Sequence, residues 1–128
     1  MSLGTLKLTI SLLFFFVMPT LRAESIEGNS VTIQILDKIT AKVETIQVKV
    51  NESIKFESLI IEIYTCYKNP PEKVPENFVL LRIYDQINKL DQKLLYQGWM
   101  ISSSPAITPL EHPIYDLWLK DCSIKTDF

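Results

Sequence analysis

An all-β domain is what this sequence predicts: a small antiparallel sandwich or barrel with one disulfide, following a cleaved N-terminal signal helix. Three observations carry the expectation. Short runs rich in β-branched residues alternate apolar and polar positions with a period of two. Turn residues separate these runs at short spacing. No stretch after residue 23 keeps the 3.6-residue periodicity of an amphipathic helix, so a layered β architecture is left.

The first residues set the compartment. Lys7 is a lone charge before the uncharged apolar run Leu8–Met18, Pro19 breaks the run, and Ala23 offers a small residue at a cut site. This is the three-part pattern of a secretory signal peptide. The run is shorter than the roughly 20 apolar residues needed to span a bilayer. Residues 1–23 are therefore read as a signal peptide, 24–30 as a polar lead-in, 31–122 as a single β domain and 123–128 as a frayed tail. No second long apolar run follows, so no membrane span is expected in the mature form.

Val31–Leu36 alternates cleanly and predicts a half-buried strand. Asp37–Thr40 supplies a turn. Lys42–Val50 is the next strand, with Ile46, Val48 and Val50 on one face; Val43 is out of phase, which suggests a bulge near Glu44. Asn51-Glu52 turns the chain. Asn51-Glu52-Ser53 also matches a glycosylation sequon, but a turn is the commoner meaning of so short a pattern. Ser53–Phe56 is short and extended. Leu59–Tyr67 follows, with Leu59, Ile61, Ile63 and Thr65 assigned to one face. Residues 68–77 hold three prolines, which predicts an extended, polyproline-like surface loop. Phe78–Tyr84 and Leu94–Ile101 are strands, the second interrupted by Gly98, with a polar loop or short helical turn over 85–92. Residues 102–113 form a second Pro-containing loop, and Ile114–Leu119 is the last strand, ending at Cys122.

Removing residues 1–23 from the 128 leaves 105, enough for one thin-cored domain. Without Lys7 and Arg22, 11 of the 13 basic residues face 15 acidic ones. A mildly acidic chain with no basic stripe is a poor ligand for nucleic acid, whose affinity rests on phosphate neutralisation, and for anionic lipid. The two cysteines, Cys66 and Cys122, are an isolated pair in an exported chain and predict one disulfide.

Four segments carry a family resemblance. They are Leu36-Asp37-Lys38-Ile39-Thr40, Cys66-Tyr67-Lys68-Asn69-Pro70-Pro71-Glu72, the run Gly98-Trp99-Met100 through Ala106, and Leu110-Glu111-His112-Pro113-Ile114-Tyr115-Asp116-Leu117-Trp118. The chain resembles a family of small secreted alphaproteobacterial proteins known only as a domain of unknown function. The resemblance runs from about Val31 to Cys122. It implies a Gram-negative envelope protein of the periplasm and supplies no activity.

Candidate chemistry is sparse. His112 is the only histidine; with Asp116 and Ser102, Ser103 or Ser104 it could be written as a hydrolase triad, but no nucleophile elbow surrounds any of these serines. Glu111, His112 and Asp116 fall short of the four ligands of a structural zinc site, and neither a metal nor a cofactor is expected. The aromatics say more: Trp99, Trp118, Tyr67, Tyr96 and Tyr115 lie near the Pro-containing loops. Most should be core, and the rest suit a groove for peptide or glycan. The sequence thus points to a non-enzymatic periplasmic domain that binds or scaffolds an envelope protein or cell-wall component. Lys68, Trp99, Glu111, His112 and Tyr115 are its binding candidates, expected together where both loops emerge at one end of the domain. An envelope-polymer hydrolase using the His112 loop, and a secreted enzyme inhibitor, are the alternatives.

Overall fold

The computed structural model describes residues 24–105 and 110–126, with Gly4 and Pro19 as isolated positions before them. The segment read as a signal peptide, residues 1–23, lies outside the described residues apart from those two positions. Eight strands follow in order: β1 (Ile26–Gly28), β2 (Ser30–Asp37), β3 (Lys42–Lys49), β4 (Ser53–Phe56), β5 (Leu59–Lys68), β6 (Asn77–Gln86), β7 (Gln92–Ile101) and β8 (Tyr115–Ser123). One five-stranded sheet has the order β1-β5-β6-β7, with β4 also on β5; the other has the order β3-β2-β8. Every pairing is antiparallel.

The alternation read from the sequence sets what faces inward. Val31, Ile33 and Ile35 of β2 and Leu117 and Leu119 of β8 point at Leu59, Ile61 and Ile63 of β5 and Val79, Leu81 and Ile83 of β6, all essentially without solvent contact. Side chains from two inner faces in one continuous core make this a sandwich. Cys66 of β5 and Cys122 of β8 join the sheets as a disulfide, with Cα atoms 5.9 Å apart.

Both cysteine strands change phase just before the cysteine. In β5 the register skips between Ile63 and Thr65, so Tyr64 is an extra residue. In β8 it skips between Leu119 and Asp121, so Lys120 is extra. A bulge adds one residue and shifts the following side chains by one face. Cys66, three positions after Ile63, and Cys122, three after Leu119, thereby enter the core. This corrects the face assigned to Thr65. It also relocates the expected bulge: β3 pairs with β2 without interruption from Lys42 to Lys49.

Three other details differ from expectation. The lead-in contains β1, which pairs with the end of β5. Gly28 lies directly on the disulfide: a Cβ there would be 2.8 Å from Cys66 Sγ, closer still to Cys122 Sγ, and 3.0 Å from Ser123 O. The start of the tail is tied down, because the Asn29 side chain accepts from Lys125 N–H and donates to Lys125 O, both at 2.8 Å. The Pro-rich loop is a turn rather than an extended stretch. Lys73 N–H donates to Pro70 O, Asn69 Nδ2 to Val74 O, and Asn69 N–H to Glu76 O. Pro71 takes the second position of that turn, where its fixed φ fits.

Candidate functional site

β6 orders the surface. Its inward residues are Val79, Leu81 and Ile83, so Phe78, Leu80, Arg82 and Tyr84 face outward. Tyr67 of β5 lies beside Phe78, and Trp99 of β7 beside Leu80. The Tyr67 and Trp99 rings are 6.0 Å apart and tilted by 37°. With Phe78, Ser25 and the loop residues Asn69 and Lys73, they line a groove of about 440 Å³. Trp99 is 44% exposed, an unusual state for so large a ring, which in a small domain belongs in the core. Gly98, with φ at +147°, precedes it in a backbone conformation that side chains avoid. Further along the face, the Arg82 guanidinium lies over the rings of Tyr64 and Tyr84, 5.5 and 5.8 Å from their centroids.

The loop supplying Lys73 is latched at its base by Glu76. That carboxylate accepts from the hydroxyls of Ser102 (2.9 Å) and Ser103 and from the N–H groups of Ser103 (3.0 Å) and Asn77 (3.1 Å). Burial pushes the Glu76 pKa up, but the serine and backbone donors outweigh it and leave it below its ordinary value. Asn77 Oδ1 accepts from Cys122 N–H at 3.1 Å, which couples the latch to the disulfide strand. Lys68 is close by but committed: its ammonium pairs with Asp121 at 3.0 Å.

His112 lies at the opposite end of β6. Its Nδ1 accepts from Ile114 N–H (3.0 Å) and Tyr115 N–H (3.2 Å), so the ring proton is on Nε2, which donates to Asp85 Oδ2 at 3.0 Å. The ring stacks on Tyr115 at 5.2 Å. Lys38 donates to the His112 carbonyl at 2.8 Å and pairs with Asp116. For Asp85, burial raises the pKa, while hydrogen bonds from Ser58 and His112 more than compensate and hold it low. Burial first, then the negative charges of Glu57, Asp37 and Asp85, raise the Tyr115 pKa. Tyr115 borders a separate polar cleft of about 300 Å³ with Asp37, Lys42, Glu44 and Glu57.

The expectation that both loops flank one groove is therefore corrected. Loop 102–113 starts beside Asn77 and ends beside Asp85, eight positions along β6 and roughly 26 Å away at about 3.3 Å per residue. β8 starts at the Asp85 end because it pairs antiparallel with β2 from Asp37, opposite Tyr115. Lys68 and Trp99 stand at one end of the domain, His112 and Tyr115 at the other. Ser102 and Ser103 bind Glu76, and Asp116 binds Lys38, so the residues of the written triad do not converge. Both ring nitrogens of His112 are already engaged, so neither is available as a base. Among the described residues, no three His, Cys, Asp or Glu side chains form a metal-binding group. No helix there is long and apolar enough to cross a membrane.

Sequence reasoning placed Trp99 but not Phe78 or the loop turn that completes the groove. Asp85 and Glu76, the acceptors that organise the two ends, carried no local signal, since the side-chain partners of each, Ser102 and His112 among them, lie at least 26 residues away in the chain.

Residues 31–122 match the model of a family described as an uncharacterized protein conserved in bacteria, DUF2155. The chain belongs to this family. The family match runs from Val31 of β2 to Cys122 of β8 and so takes in every strand except β1, leaving out only the end residues Ser30 and Ser123 of the two it starts and finishes on. A Rickettsia prowazekii (strain Madrid E) relative, the uncharacterized protein RP359, is 40% identical over 87 residues, which is 68% of this chain and 56% of that one. The chain thus spans little more than half the length of that curated relative. No solved structure matches.

Proposed function

We propose that this chain is a non-enzymatic binding domain of the Gram-negative periplasm that holds an extended envelope component, peptide or cell-wall glycan, against the outer face of the larger sheet. The observation that carries the reading is the half-exposed Trp99 set against Tyr67 and Phe78, beside a loop held rigid by its own hydrogen bonds. An aromatic floor with a few fixed polar groups is the usual composition of a small recognition site. The leader pattern of residues 1–23 and the buried disulfide support an exported, oxidising location. The hydrolase alternative loses support from the hydrogen bonds of His112, whose Nδ1 serves the start of β8 and whose Nε2 serves Asp85 of β6.

An aromatic photo-crosslinker, benzoylphenylalanine, at position 99 keeps a ring in the groove and, in cells expressing the full chain, tests the reading. Adducts with one envelope protein or with cell-wall fragments, absent when the probe is at position 111, are expected. Equal labelling at both positions would remove the groove from consideration.

A further inference from the structure

We infer that the component held at the aromatic groove is a polypeptide segment, added as a further strand along the open edge of β7. The inference rests on the groove reading and narrows it from peptide or glycan to peptide. β7 ends the strand order of the larger sheet. Just past its last residue, Ser102 N–H donates to Asn77 O at 3.0 Å. Hydrogen-bonded and non-hydrogen-bonded pairs alternate along an antiparallel ladder. Counting back from Ser102, Met100, Gly98 and Tyr96 exchange bonds with β6, so Gln97, Trp99 and Ile101 turn their N–H and C=O groups to the open side. A side chain agrees with that direction: the Tyr96 hydroxyl reaches past Gly98 and donates to Trp99 O at 2.6 Å. The carbonyl keeps a second lone pair for an incoming N–H.

An exposed strand edge is a template for another chain, and folded proteins guard it with charge or keep it short. The other edges here are guarded. β3 carries Lys42, Glu44 and Lys49, β8 carries Lys120 and Asp121, and β1 has only three residues. β7 has ten residues and no charge from Leu94 to Ile101. What this edge offers selects its occupant. Its outward N–H and C=O groups recur together every second residue, roughly 6.8 Å apart. An extended peptide repeats its own groups at that interval, whereas a glycan, stepped by sugar rings, has no matching set. Residues opposite each other in a ladder share a face. The side chain facing Trp99 therefore lies at the mouth of the groove that continues to Phe78 and Tyr67. The segment is thus extended, with an apolar or aromatic residue opposite Trp99 and no proline where it donates to β7. Main-chain bonds supply the affinity of such strand addition, and alternate side chains its specificity.

The test starts from benzoylphenylalanine at position 99 of the full chain in cells, with each adduct identified by mass spectrometry. Peptide adducts are expected. The trapped sequence, made as a synthetic peptide, is then titrated against the unsubstituted protein. Methylating its backbone nitrogens at alternate residues should weaken binding by about tenfold each, and methylating the intervening ones should not. Gln97→Pro removes one outward N–H and leaves the β6 ladder and the aromatic groove in place. It should lower the adduct yield at position 99 with the disulfide still formed. If that variant fails to fold, the peptide titration decides, since it leaves the protein unchanged. Sugar adducts alone, or a methylation effect without the two-residue period, overturn this inference and leave the groove reading standing. A trapped sequence from residues 92–101, with a doubled mass in sedimentation, assigns the edge to a second copy and also overturns it. No adduct at position 99 overturns both readings.

Discussion

At the scale of single residues, Gly28 and His112 are the positions where the side chain, or its absence, is least replaceable. Gly28 fills the space above the two sulfurs with nothing but a hydrogen. Gly28→Ala should cost about 1–3 kcal/mol, the usual range for overpacking, and part of the protein should be recovered with free thiols. Urea denaturation with a thiol titration reads both effects. His112 joins Asp85 to the first residues of β8, and its neighbours would be left with unmet hydrogen bonds. His112→Ala should therefore lower stability by about 1–3 kcal/mol and leave crosslinking at position 99 unchanged. Trp99→Ala should do the reverse: within about 1 kcal/mol of the native stability, since the ring is half exposed, with loss of the position 99 partner as seen from a probe at Phe78.

At the scale of elements, much was legible and some was hidden for a physical reason. The strands over 31–36, 59–67 and 78–84 follow from alternation because one face of each is buried, while those over 42–50 and 94–101 were legible although each has a single fully buried side chain, Val48 and Met100. The strand β1 is only three residues, and Glu27 and Gly28 carry no strand preference, so its pairing with Tyr67 and Cys66 is a tertiary effect. The bulges at Tyr64 and Lys120 were invisible because an extra residue leaves no mark beyond a phase change. At β3 the out-of-phase residue proved to be Glu44, which sits at an inward position where the sheets part and lines the polar cleft. The aromatic half of the candidate site could be read; its assembly could not, since the direction of β8 depends on pairing with β2.

The Glu76 latch is an element-scale device with a consequence for acid stability. Its carboxyl is held below its ordinary value of 4.5 in the folded chain. A depressed pKa contributes stability that is fully present above the unfolded value and is lost as pH falls through the folded one. Asp85 behaves in the same way from its ordinary value of 3.8. Stability should therefore be level above about pH 5 and fall below it. Glu76→Gln should flatten part of that decline and lower the plateau. Urea midpoints of the two proteins between about pH 3 and pH 7 give the comparison; parallel curves would remove the latch from the account.

At the scale of the whole molecule, two sheets of unequal size share one core, and the Cys66–Cys122 bond holds them at one end. The enclosed loop spans 56 residues. Restricting it in the unfolded chain is worth up to roughly 4 kcal/mol, a large part of the about 5–15 kcal/mol typical of a domain. Cys66→Ala with Cys122→Ala should lower stability by a few kcal/mol, most visibly as a drop in melting temperature. The opposite end relies on His112, Lys38 and Asp85 instead. Reductant should therefore loosen the disulfide end alone, whereas acid should act at both ends, through Glu76 at the one and Asp85 at the other.

The roof that β1 forms over the sulfurs has a temporal consequence. Both cysteines are wholly enclosed and Gly28 rests on them, so an attacking thiolate has no line of approach while β1 is in place. Oxidation must then precede the docking of β1, and reversal must wait for that strand to peel away. The rate at which a small thiol reopens the bond in the native protein would serve as a clock for the detachment of residues 26–28. Clipping those three residues should make the bond susceptible at once, while the sandwich beneath it stays assembled.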